Sequence, residues 1–102
     1  MAWTRKGDAG ASSLSFPNPS RSFDETRCGV RFWGYDRAFE VSFFVEGNAL
    51  SRVNPETKVD EKGLLSTFDI NRDWIFATAS DVYSRRRRAS HIFSYTLTAS
   101  DF

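Results

Sequence analysis

The residues best suited to chemistry in this 102-residue chain are a run of four arginines and one nearby histidine. The run follows a predicted helix, and its guanidinium groups are suited to binding phosphates. The same charges would also complement the helix macrodipole and pair with acidic neighbours such as Asp81, and we favour this structural interpretation. Nucleic-acid binding is the alternative hypothesis for function. Its candidate residues are Arg85, Arg86, Arg87, Arg88 and His91.

The sequence contains no group of residues with the spacing of a catalytic or metal-binding site. His91 is the sole histidine and Cys28 the sole cysteine, so a disulfide within the chain is impossible. Arg27 and Arg31 near Cys28 would favour a reactive thiolate, but a small residue at the start of a strand is the favoured interpretation. We therefore predict no cofactor and no metal, and we do not expect an enzyme.

A pair of alternating, aromatic-rich runs at residues 30–35 and 39–45 is the strongest structural pattern. A short polar break separates the runs, and this arrangement predicts a β-hairpin. One face is predicted to be buried, and it consists of Val30, Phe32, Gly34, Phe39, Val41, Phe43 and Val45. The outer face of a half-exposed sheet is normally polar, so further aromatic side chains there indicate either a binding surface or a cover by another segment. The candidate interaction face consists of Arg31, Trp33, Tyr35 and Phe44, with Arg37 at the rim.

Two other segments are predicted to extend the sheet. Residues 13–16 have the pattern of a short edge strand that ends at a proline. Residues 20–28 are predicted to be a polar connection containing at most one helical turn. Residues 90–98 alternate with a period of two and predict a final strand, whose position in the sheet stays open.

Two helices are predicted between the hairpin and the final strand. Asn48 is the expected N-cap of a short helix over residues 49–53, and Asp60 that of a long helix reaching Tyr83, with a bend possible at Asn71. An apolar stripe on the long helix is predicted to cover the hairpin: Leu64, Phe68, Ile75, Ala79 and Val82. The opposite side carries acidic residues and is predicted to face solvent: Glu61, Asp69, Asp73 and Asp81.

These elements predict an α+β fold: a two-layer, antiparallel sheet of about four strands, with one long and one short helix on one face. Residues 1–12, rich in Ala, Gly and Ser, are predicted to be a flexible leader, and residues 13–102 a single domain. The net charge of +1 gives no general attraction to nucleic acid or membranes. One cysteine and no apolar signal segment favour a soluble cytoplasmic protein.

Five blocks of the chain, in order, carry a resemblance to a known family: Leu14-Ser-Phe-Pro-Asn18, Ser22-Phe-Asp24, Val30-Arg-Phe-Trp-Gly-Tyr-Asp36, Val41-Ser-Phe-Phe-Val45 and Tyr95-Thr-Leu-Thr-Ala-Ser-Asp-Phe102. They resemble the short bacterial proteins grouped as Domain of Unknown Function 1488. The resemblance implies a bacterial source and a compact α+β domain. It implies no activity and no catalytic residues.

The sequence therefore supports two hypotheses from different classes. The favoured one is a non-enzymatic protein-interaction or self-association module that uses the aromatic outer face of the hairpin, with an unknown protein or a second copy as partner. The alternative is a nucleic-acid-binding accessory or regulatory protein that uses the arginine run. Neither hypothesis involves a membrane.

Overall fold

The computed structural model describes residues 14–86 and 94–102. The predictions made for the leader, for Arg87, Arg88 and His91, and for the first part of the final strand lie outside the described residues.

The sheet contains five strands in this part of the chain. They are β1 (Leu14–Ser15), β2 (Arg21–Asp24), β3 (Gly29–Asp36), β4 (Phe39–Glu46) and β5 (Ser94–Leu97). The predicted hairpin is β3–β4, with Phe32 opposite Phe43 and Val30 opposite Val45. Phe39, predicted to be buried, is instead 62% exposed, because it lies next to the β3–β4 turn. β1 and β2 both pair antiparallel with the other side of β3, and β5 pairs with β4. The α+β class is confirmed.

Two features of the sheet differ from the sequence prediction. Residues 20–28 were predicted to be a connection, but Arg21–Asp24 is a strand, because Phe23 packs against the core while its backbone pairs with Val30. β5 runs parallel to β4, so the sheet is mixed and only mostly antiparallel. The reason is that helices separate the two strands in the chain, and such a crossover can return the chain in its original direction.

Three α-helices lie between β4 and β5 in the described chain: α1 (Gly47–Val53), α2 (Glu61–Ile70) and α3 (Arg72–Arg86). The prediction of a single long helix was wrong. The predicted bend at Asn71 is a full break, where Asn71 has φ −112° and ψ 26° and its side-chain amide donates to the carbonyl of Thr67 at 2.9 Å. The predicted cap at Asp60 is confirmed, since its carboxylate accepts from the Gly63 amide at 2.7 Å.

The first helix begins two residues earlier than the sequence predicted. Its N-cap is Glu46 rather than Asn48, and no side chain caps it. The amide of Gly47 instead donates to the carbonyl of Cys28 at 2.9 Å, so the chain passes directly from β4 into α1. A short 3-10 helix, Ala99–Asp101, follows β5.

The core lies between the helices and one face of the sheet. All five residues of the predicted helical stripe are fully buried there, and the predicted acidic residues are exposed, as expected. The Phe32 ring lies 5.2 Å from that of Phe43 and 5.1 Å from that of Phe68, so large aromatic rings join the two layers. Removing one of these rings would cost about 3–5 kcal/mol. Across the described ranges, no helix is long and apolar enough to span a membrane.

Candidate interaction face

The second face of the sheet is formed by the alternate residues of β3 and β4. Arg31, Trp33 and Tyr35 project from β3 at a spacing of about 7 Å. In the register of the hairpin they stand opposite Phe44, Ser42 and Glu40, respectively. The contacts of this face within the described chain come from strands and from the β2–β3 turn, because the helices pack on the other side. The structure therefore brings the predicted residues together on the face of the sheet opposite the helices.

Phe44 is covered, although it belongs to this face. Its side chain is 3% exposed, because the guanidinium carbon of Arg27 lies 4.0 Å above the ring centroid. The ring also fills the space beside Gly29, where a Cβ atom would approach Phe44 Cζ to 2.3 Å. The aromatic surface available to a partner is therefore that of Trp33 and Tyr35, which are half-buried.

Arg27 is the residue of this face that sequence reasoning missed. It is exposed in the β2–β3 turn, and its Nη2 atom approaches the hydroxyl of Thr96 to 3.4 Å. No local pattern reveals this position, since Thr96 is 69 residues away in the chain. A guanidinium over an aromatic face adds a favourable electrostatic contact.

A network centred on Asp24 fixes Arg31. The Nη2 and Nε atoms of Arg31 lie 3.0 and 3.2 Å from Oδ2 of Asp24, and the backbone amide of Arg27 donates to Oδ1 at 3.0 Å. The Arg27 amide, followed by the Arg31 guanidinium, holds the pKa of Asp24 below its ordinary value. Asp24 is therefore already engaged by Arg31. Arg27, by contrast, has no described carboxylate within ion-pair distance of its guanidinium.

The opposite end of the face carries an exposed carboxylate. The hydroxyl of Tyr35 donates to Oε2 of Glu40 at 3.2 Å, and this bond raises the pKa of Tyr35 above its ordinary value. Glu40 is exposed next to the β3–β4 turn. Arg37, the predicted rim residue, is exposed in that turn with φ 60°.

The arginine run is only partly described. Arg85 Nε donates to Oδ2 of Asp81 at 3.0 Å, one helical turn away, and its Nη2 lies 3.9 Å from Oδ1 of Asp101. Arg85 therefore forms the predicted ion pair with Asp81, although it lies within α3, which extends past the predicted end at Tyr83 to Arg86. Arg86 is exposed at the end of α3. Nucleic-acid binding by this run stays a prediction.

Cys28 has a structural position in the β2–β3 turn. It adopts φ 57°, its side chain is half-buried against the core, and its carbonyl accepts the amide that starts α1. In the part of the chain that the structure describes, no cluster of three His, Cys, Asp or Glu residues is placed to hold a metal ion.

Comparison with known families identifies the chain. A family model described as "Protein of unknown function (DUF1488)" matches residues 14–93. The chain belongs to the DUF1488 family. The matched part of this DUF1488 protein includes the whole β3–β4 hairpin and all three α-helices. No curated protein and no solved structure matches the chain.

Proposed function

We propose that this DUF1488 protein is a non-enzymatic domain that self-associates through the open face of its sheet. The observation that carries the proposal is the row formed by Arg31, Trp33 and Tyr35, in which two aromatic side chains are only partly buried on the face opposite the helices. Trp, Tyr and Arg are the residue types that contribute most to protein interfaces.

A second copy is the occupant best suited to this face, because the face carries both charges. Arg27 lies at one end, beside an Arg31 that is already paired with Asp24, and Glu40 lies at the other end, beside the turn that carries Arg37. A two-fold interface uses the same patch on both subunits and therefore requires a self-complementary surface. The proposal includes a bacterial, cytoplasmic setting, which is supported by the family resemblance and by the single cysteine.

Analytical ultracentrifugation over a wide range of protein concentrations tests the proposal. We expect a monomer–dimer equilibrium, and we expect Trp33→Ser to weaken the dimer by about tenfold or more, since a central tryptophan contributes strongly to such interfaces. Trp74→Ser is the matched control, because Trp74 is 46% exposed on α3, on the helical side of the molecule. Circular dichroism verifies that each variant is folded.

Two results would contradict self-association through this face. One is a monomeric mass for the wild type at every concentration. The other is an equal loss of dimer in the Trp33→Ser and Trp74→Ser variants, which would move the interface away from the sheet.

A further inference from the structure

In the register of the hairpin, the pair Trp33–Ser42 lies at the centre of the face that carries Arg31, Trp33 and Tyr35. Trp33 stands opposite Ser42, and two residues away in either direction along the strands are the pairs Arg31–Phe44 and Tyr35–Glu40. Phe44 and Glu40 project from the same strand, β4, and are separated by about 13 Å. Because Arg27 lies over Phe44, the exposed cation and the exposed carboxylate stand on either side of this centre.

Consider a two-fold axis that lies between two facing sheets, at the level of Trp33 and perpendicular to the strands. Such an axis would reverse the strand direction in the second copy. A residue at the level of the axis then faces the same residue of the other copy, so Trp33 packs on Trp33 of the other copy. Residues on either side exchange places, so Phe44 with its covering Arg27 lies opposite Glu40. Two aligned sheets pack about 10 Å apart, a distance that long side chains from both faces can fill.

We propose that the dimer is formed by this two-fold axis, with Arg27 of each copy paired with Glu40 of the other. This inference rests on the proposed self-association. The pairing gives Arg27 the carboxylate that no described residue of its own chain supplies within ion-pair distance. In the same pairing, the Glu40 carboxylate accepts a bond from Arg27 of the other copy in addition to the hydrogen bond from Tyr35 of its own chain. Complementary charges of this kind fix the register of an interface.

Charge reversal tests the pairing. We expect Arg27→Glu and Glu40→Arg each to weaken the homodimer by about tenfold, since every dimer contains the pair twice and like charges would meet. An equimolar mixture of the two variants should associate nearly as well as the wild type, because both pairs are then opposite in sign. Glu56→Arg, an exposed reversal in the loop before α2, is the matched control and should leave the dimer unchanged.

The mixing experiment separates failure of the pairing from failure of self-association. If neither reversal changes a dimer that Trp33→Ser weakens, or if the mixture associates no better than the single variants, the pairing is overturned and the sheet interface stands. If the wild type is monomeric throughout, the self-association itself is overturned. Circular dichroism of each separate variant excludes unfolding, and the mixture needs no double variant.

Discussion

Asp69 joins two parts of the chain that are far apart in sequence. Its two carboxylate oxygens accept from Nε and Nη2 of Arg21 at 3.0 and 2.8 Å, and Arg72 adds a third bond at 2.9 Å. Arg72 also donates to the carbonyl of Pro19 at 2.8 Å. The hydrogen bonds from Arg21, and then the one from Arg72, hold the pKa of Asp69 below its ordinary value of 3.8. The network therefore ties β2 to the junction of α2 and α3.

Replacing Asp69 should change both the stability of the protein and its dependence on pH. A carboxylate with a lowered pKa in the folded state stabilises the protein fully above its ordinary pKa, and this contribution is lost as the pH falls through the lowered value. Asp69 is 39% exposed, so we expect Asp69→Asn to cost about 1 kcal/mol at neutral pH. The difference from the wild type should shrink as the pH falls below the ordinary pKa of 3.8.

Urea unfolding of the wild type and the Asp69→Asn variant at neutral and acidic pH measures this effect. Asp73→Asn is the control, because Asp73 is exposed nearby on α3 and forms no ion pair among the described residues. Equal stabilities of wild type and Asp69→Asn at neutral pH would show that the network contributes nothing.

At the scale of secondary-structure elements, the side chain of Asp60 caps the N-terminus of α2. The Asp60 carboxylate satisfies the amide of Gly63, and its carbonyl accepts from the amide of Leu64 at 2.9 Å. Removing an N-cap side chain typically costs about 1 kcal/mol, so we expect Asp60→Ala to lower the free energy of unfolding by that amount. Denaturant unfolding measures this loss. The control is Glu56→Ala, because Glu56 is an exposed acidic residue of the same loop. A loss of similar size in both variants would show that the effect comes from removing a negative charge and not from removing the helix cap.

The elements that sequence reasoning found are those with local signals. The hairpin was predictable from its alternation, and the start of α2 from Asp60, because both patterns span a few neighbouring residues. β2 was missed, since a short charged segment becomes a strand only through its pairing with β3. The parallel position of β5 and the cover of Phe44 by Arg27 depend on partners far along the chain. Such pairings are decided by the packed whole, and no local pattern encodes them.

At the scale of the whole molecule, the charge balance argues against nucleic-acid binding. The net charge is +1, and Arg85 is engaged by Asp81. We therefore expect no salt-sensitive binding to labelled single- or double-stranded DNA or RNA. Titrations at low and moderate salt check this, beside a variant with Arg85, Arg86, Arg87 and Arg88 all changed to alanine. Binding that falls steeply with salt and is lost in the variant would instead establish the nucleic-acid hypothesis.

The position of β5 in the chain, after α3, sets the order in which the sheet can be completed during synthesis. On the ribosome, β3 and β4 can pair as soon as both have emerged, because a two-residue turn joins them. Residues 94–97 emerge only after all three helices, yet Tyr95 and Leu97 belong to the buried core. Until then the outer edge of β4 lacks its neighbour, and an open strand edge can pair with other chains. The nascent protein therefore keeps an aggregation-prone edge on β4 until β5 pairs with it.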